Sequence, residues 1–438
     1  MRRLLFFLLL LSLTGVGANL FANGQGEAKQ AVSATPQVLR VTAPPWAFKK
    51  FPLEAVAKMF EKSNPGVIVK LTRDAQWNVS TYIAAWRSGS TPVDVYVGGT
   101  GSMLAPVIAG NWTTPLDDLL TGSLAKKNFV GGYLAAGRYR KPDGSGAYYP
   151  VLPFMGECAI IGVNVPLMKK AGLWKDGTPV PIPSWNEQAL IGWFEKLKAV
   201  AANGAIDEEW SRQYMQYDFL APLQAMQGSF LAPNRKGFDV TSPDAHKLFT
   251  IYQAMYKDGV GIWTTENGAH VNNWKTTQLG ALFAAQSQAM ELANVTGKPS
   301  DVAYVGWPGM RKNGSVIWTN AVWISKLSKV QALDKKFVAD EIFSKYFSQW
   351  GFNHYGKLPV LKAYYGRGIT RFQSAMPEIL KIADRSQPIP VYADMEQYLD
   401  ILQEYLPAIA FDRISVSDGL AKIEAASKNL DFTNLRAN

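Results

Sequence analysis

In "LEAVAKMFEK" the apolar residues Leu53, Val56, Ala57 and Phe60 fall at i, i+3, i+4 and i+7, so 53–62 is predicted as a helix with one buried face. "SNPG" (63–66) ends it, since Pro and Gly both stop helices. Around it, "VLRVTAP" (38–44), "VIVKL" (67–71) and "VDVYVGG" (93–99) read as strands, and "TYIAAWRSG" (81–89) as a second short helix. Strand, helix, strand, helix, strand at this spacing predicts a mostly parallel sheet covered by helices, an α/β fold. Binding residues then belong in loops at the carboxyl ends of the strands. These loops are "APPWAF" (43–48), "TRDAQWN" (72–78) and "GGTGSM" (98–103). Trp46 and Trp77 each either cap the core or face a ligand. The third loop has neither the dinucleotide glycine spacing nor the phosphate-loop lysine, and its small residues let backbone N–H groups approach a polar ligand.

Beyond residue 147 the pattern changes. "AYYPVLPFMGECAIIGVNVPLMKKAGLW" (147–174) is nearly continuous in apolar residues and broken by Pro150 and Pro153, as extended segments passing between domains would be. Glu157 lies inside it, and a carboxylate there must be paired, protonated or directed into a polar cleft. "PSWNEQALIGWFEKLKAVAANG" (183–204) predicts a helix with Ser184 or Asn186 as N-cap and Gly204 as its stop. Residues 205–300 read as largely helical, "DVAYVGWPGM" (301–310) as a strand and turn, and 335–348 and 393–410 as amphipathic helices. In "GSVIWTNAVWISK" (314–326), strand alternation sends Trp318 to one face and Trp323 to the other, so the two rings should have different roles.

The first residues, "MRRLLFFLLLLSLTGVGANL", have the layout of a secretory signal, read as 1–22 with a leader over 23–36, so an exported soluble product is expected. One cysteine, Cys158, forms no internal disulfide, and its apolar setting makes a buried structural thiol the expectation. The net charge of +10 is scattered in lysine pairs with no dense basic tract, which argues against nucleic acid. His246, His270 and His354 are isolated and lack metal-site spacing, so neither a metal nor another cofactor is expected. No serine-hydrolase elbow is present. Asp117-Asp118 and the acidic run 207–209 are the carboxylates a glycoside hydrolase would have to draw on. The fourteen tryptophans carry more information, because Trp112, Trp185, Trp263 and Trp307 sit beside turn residues. Aromatic faces stack on sugar rings or on cations, with polar neighbours for the hydroxyls.

The order of "FEKSNPGVIVKL", "TPVDVYVGG", "AGNWTTPLDDLL", "AYYPVLPFMGECAIIGVNVPLMKKAGL", "PSWNE", "GSVIWTNAVWISKLSKV" and "GKLPVLK" resembles the extracellular solute-binding proteins of sugar-type ABC transporters, the maltose-binding-protein-like family. The resemblance implies a two-lobed α/β periplasmic-binding-protein fold with a ligand cleft between lobes. One lobe would hold 37–152 and 315–375, the other 153–314 and 376–435. It also implies a monomer that binds without turnover and delivers its ligand to a membrane permease. Gly99 and Thr100 would line the first-lobe side, Glu157 would follow the first crossover, and Trp274 would offer a second-lobe aromatic. Trp318 would stand at the return crossover, while Trp46, Trp77 and Trp307 complete the expected ligand set. A carbohydrate, up to an oligosaccharide, is the expected ligand. The alternatives are a polyol, a glycosyl phosphate or a polyamine, then a secreted glycoside hydrolase, or a chemoreceptor adaptor on the same fold.

Overall fold

Eleven strands join in one hydrogen-bonded sheet in a computed structural model of the chain, which describes residues 36–75, 79–99, 104–212, 215–365 and 376–437. The sheet has two halves that share the long strand Leu152–Asn164. In the first half, Gln37–Ala43 lies parallel to both Val67–Arg73 and Val95–Gly99, and Val316–Ile324 runs antiparallel between Val95–Gly99 and the long strand. In the second half, Ile206–Glu209 lies parallel to Gly261–Thr264 and Ala281–Ala285, and the last of these pairs antiparallel with the long strand. The partner of the long strand changes along its length: Leu152 to Cys158 face Val316–Ile324, whereas Ala159 to Val163 face Ala281–Ala285. A strand buried on both faces needs an unbroken apolar run, which explains the composition of this segment.

The helix of 53–62 is observed as Leu53–Ser63, with Leu53, Val56, Ala57 and Phe60 as its buried stripe. Asn186 is the N-cap of Glu187–Lys198, its Oδ1 accepting from the Ala189 N–H at 3.0 Å. Three readings are corrected. The 43–48 loop contains a short helix, Pro45–Lys50, because Pro45 sits at a first-turn position where its missing N–H costs nothing. The stretch 205–300 is not largely helical: it contributes the strands Ile206–Glu209, Gly261–Thr264 and Ala281–Ala285. "IDEE" hides its strand because its acidic residues are buried by tertiary packing, where propensity predicts exposure. The helix of 335–348 breaks at Ser344, whose hydroxyl accepts from the Phe347 N–H at 3.0 Å and starts a new helix, Lys345–Tyr355. The signal and leader lie outside the described residues. Among those described, no helix is long and apolar enough to cross a membrane.

Trp323 is wholly buried in the first half, stacked on Tyr96 with centroids 5.0 Å apart and edge-on to Trp86 at 5.5 Å. The strand alternation that separated it from Trp318 is interrupted: the pairing register shifts on both neighbours between Asn320 and Val322. The two rings nonetheless occupy different surroundings.

Candidate functional site

Where the long strand changes partners, Glu157 lies directly opposite Trp318, so both side chains rise from neighbouring strands at one place. Gly156, the residue before, pairs on its other side with Leu358. A side chain at 156 would run into the ring of Tyr133, so glycine is what lets these strands close over the tyrosine.

Two distant segments hold the Glu157 carboxylate. One carboxylate oxygen accepts from the Ser287 hydroxyl, at the start of Gln286–Ala289 in the second half. The other pairs with the ammonium of Lys357, next to Leu358 in the first half. Both charged side chains are almost excluded from solvent, at 13% and 6% exposure, which is why they must satisfy each other. Burial alone would raise the Glu157 pKa, but the ammonium groups of Lys357 and Lys50 and the Ser287 hydroxyl hold it below the usual carboxylate value. Burial pushes the Lys357 ammonium down to about 8 despite Glu157, and Lys50 pushes it the same way.

The neighbouring groups tie the halves together. The Gln286 side chain accepts from the Cys158 N–H and donates to the Gly356 carbonyl at 3.1 Å. Gly356 has φ +69°, a left-handed conformation, and a Cβ there would collide with Met290 and approach Ser287. From the other side, Tyr217, in the helix Met215–Gln227, lies against the half-buried ring of Trp318 with centroids 3.5 Å apart and planes 31° from parallel. Trp46 is half-buried and packs edge-on to Phe51 at 6.1 Å. The Lys50 ammonium stands 5.9 Å from the Trp46 ring and 6.0 Å from that of Tyr355.

The expected ligand residues therefore separate. Glu157 and Trp318 come together, and Trp46 is joined to them through Lys50. Gly99 is buried opposite Ala321, where an added side chain would press on Leu104 and the Trp323 indole. Trp77 and Thr100 lie outside the described residues. Trp274 is fully buried with its indole N–H donated to the Ala289 carbonyl at 2.8 Å, so in this conformation it offers no face to a ligand. Trp307 is also a core ring, stacked on Trp185 at 5.3 Å and edge-on to Phe283 at 5.5 Å. Trp307 was chosen for its neighbouring turn residues and Trp274 on the family resemblance, and neither criterion reports exposure. Lys50, Tyr217, Ser287 and Lys357 were missed: each is ordinary in its local sequence, and only the folding of distant segments assembles them.

The remaining chemical candidates are structural. Burial raises the Cys158 thiol to about 12, so it is inert. Glu209 is held by the His270 ring at 2.5 Å, the Ser211 hydroxyl at 2.5 Å and the Gly268 N–H at 2.6 Å. Asp117 accepts from the Tyr149 N–H at 3.0 Å, and Asp118 pairs with Lys335 at 2.6 Å. Among the described residues, no group of three or more His, Cys, Asp or Glu is arranged to hold a metal.

Solved structures share this fold. The GacH receptor of Streptomyces glaucescens, solved unliganded and with acarbose, is 15% identical with a TM-score of 0.69, over 90% of this chain and 100% of its own. The sugar-binding protein MalE from Xanthomonas citri is 14% identical with a TM-score of 0.70, over 90% and 96%. UgpB from Mycobacterium tuberculosis, solved with glycerophosphocholine, is 17% identical with a TM-score of 0.68, over 90% and 98%. The fold is thus the two-lobed α/β architecture. No curated protein matches the chain in sequence. The family model for bacterial extracellular solute-binding proteins matches residues 55–345, more than half of the chain, and the chain belongs to that family.

Proposed function

We propose that this protein is the exported, periplasmic binding component of an ABC importer and that it holds a carbohydrate between its lobes. The observation that carries the reading is the partly exposed Trp318, lying against Tyr217 beside the Glu157–Lys357 pair, at the place where the two sheet halves meet. An aromatic face next to fixed charged groups is the combination that binds a sugar ring and its hydroxyls. Family membership, the acarbose complex of the GacH receptor and the sugar-binding MalE of similar fold support it. The division into 37–152 with 315–375 and 153–314 with 376–435 is supported by the partner change within Leu152–Asn164 and by the packing of Met395–Ala410 on Pro243–Lys257.

Binding works by closure. Ligand contacts from both lobes favour the closed state, and that state presents both lobe surfaces to a membrane permease. Hydrolysis is the weaker reading: a glycosidase acid needs a raised pKa, whereas Glu157 is held ionised and has both oxygens engaged. Calorimetric titration against a panel of neutral and charged mono- and oligosaccharides tests the proposal, with sugar release followed in parallel. Saturable binding of a panel member without release supports it. No binding by any member, or steady release of product, rejects it.

A further inference from the structure

We infer that the solute held at this site carries an acidic group, a carboxylate or a phosphate on a sugar, received by Lys50 and Lys357. The inference rests on the carbohydrate-binding reading above and narrows it.

The positive charge at the site exceeds what the protein balances. Lys357 is nearly excluded from solvent and has one partner, Glu157. Glu157 is already shared between Lys357 and the Ser287 hydroxyl. Lys50 acts electrostatically on both members of that pair, yet no carboxylate among the described residues forms an ion pair with it. Outside the described residues, 76–78, 100–103, 213–214 and 366–375 contain no Asp or Glu, and the one acidic residue elsewhere is Glu27, in the stretch read as leader. Glu291 acts on the Tyr355 phenol and accepts from the Asn294 side chain at 3.4 Å, without an ion pair to either lysine.

Two like charges beside one carboxylate repel each other, and the repulsion grows where water is scarce. A lysine at the end of Pro45–Lys50 is explained in part by the helix dipole, and its neighbour Lys49 meets that need from an exposed position. Lys50 is instead half-buried between two rings. An entering anion would complete the set, giving two ammonium groups for two acidic groups, one of them on the ligand. Lysine suits this role as a compact charge for carboxylate or phosphate oxygens. Trp46, Tyr355 and Trp318 then supply apolar faces for the ring that carries the acid. The same balance disfavours a polyamine, which would add to the positive excess.

The test uses matched pairs in calorimetry at neutral pH: galacturonate against galactose, trigalacturonate against maltotriose, and glucose 6-phosphate against glucose. The uronate and phosphate arms separate the two sources of negative charge. An acidic member should bind at least about tenfold tighter than its neutral counterpart, a difference of about 1.4 kcal/mol. The advantage should shrink as sodium chloride is raised, a readout that needs no variant. In Lys50→Gln the acidic-to-neutral ratio should fall to within about threefold, as one charge-assisted contact is lost. Neutral members binding as tightly as their acidic partners, or a ratio that withstands both salt and Lys50→Gln, overturns the inference while leaving carbohydrate binding intact. Failure of every sugar to bind overturns the carbohydrate reading and this inference with it.

Discussion

Trp318 and Trp323 lie five positions apart in different surroundings. Trp323 has no exposed surface and sits against Tyr96 and Trp86, so Trp323→Ala should cost about 3–5 kcal/mol of stability in chemical denaturation, as large core truncations do. Trp318→Ala should keep most of its stability and lose at least about tenfold in ligand affinity by calorimetry, since stacking aromatics carry a large share of binding. If both variants lose stability equally and bind alike, the division of labour is wrong. Lys357 gives a pH signature. Its folded-state value of about 8 lies below the ordinary 10.5, so between those two values the unfolded chain holds a proton that the folded protein has released. Stability from this group therefore rises with pH across that window, while the ion pair with Glu157 is lost as pH rises through about 8. Affinity for an acidic ligand should fall over the same rise, with the midpoint removed in Lys357→Met. The contrast between the two tryptophans was legible in the sequence from strand alternation, although the observed register shift means alternation alone does not explain it. Lys357 was not legible, because its importance comes from a carboxylate two hundred residues earlier in the chain.

At the scale of elements, the acidic strand Ile206–Glu209 is the clearest departure from sequence expectation. Glu208 is fully buried, and neither of its carboxyl oxygens has a hydrogen-bond partner; the same holds for Asp218, on the helix packed against the strand. Burial pushes both carboxyls well above their ordinary range, with Asp207 adding repulsion to Glu208, and Glu208, Glu209 and Asp207 adding it to Asp218. Asp207 itself is pushed up to about 6 by burial, against the pull of the Asn273 amide and His270. Because folded-state values are raised, the protonated forms favour folding. That contribution is complete below the unfolded carboxyl range and is lost as pH rises toward the folded values. Glu208→Gln should therefore raise the melting temperature more at pH 8 than at pH 5, and a pH-independent difference would contradict the assignment. Gly356 gives a second test at this scale. Its left-handed backbone costs a side-chain-bearing residue about 1–2 kcal/mol, before counting the clash with Met290. Gly356→Ala should accordingly lower stability by at least that amount in denaturant titration. The amphipathic helices and the parallel strands of the first half were legible because local periodicity matched burial. "IDEE" was not, since no local pattern signals that a tertiary contact will bury three adjacent acids.

For the whole molecule, the apolar run 147–174 announced buried extended chain, and the strand Leu152–Asn164 within it changes sheet partner along its length. The candidate site was only partly legible. Glu157 stood out as a charge in an apolar run, and Trp318 as an aromatic at a crossover, but Trp274 and Trp307 looked equally suitable until packing enclosed them. Two lobes joined by shared strands should close on their ligand, so small-angle scattering should show a smaller radius of gyration once a binding sugar saturates the protein. The central claim is that solute is held, unchanged, where Glu157 and Trp318 meet. A crystal structure of the protein grown with its tightest panel sugar tests this most directly. It should show an intact sugar ring against Trp318, within hydrogen-bond reach of the Glu157–Lys357 pair; a ligand bound elsewhere, or a cleaved product in the cleft, would contradict the account.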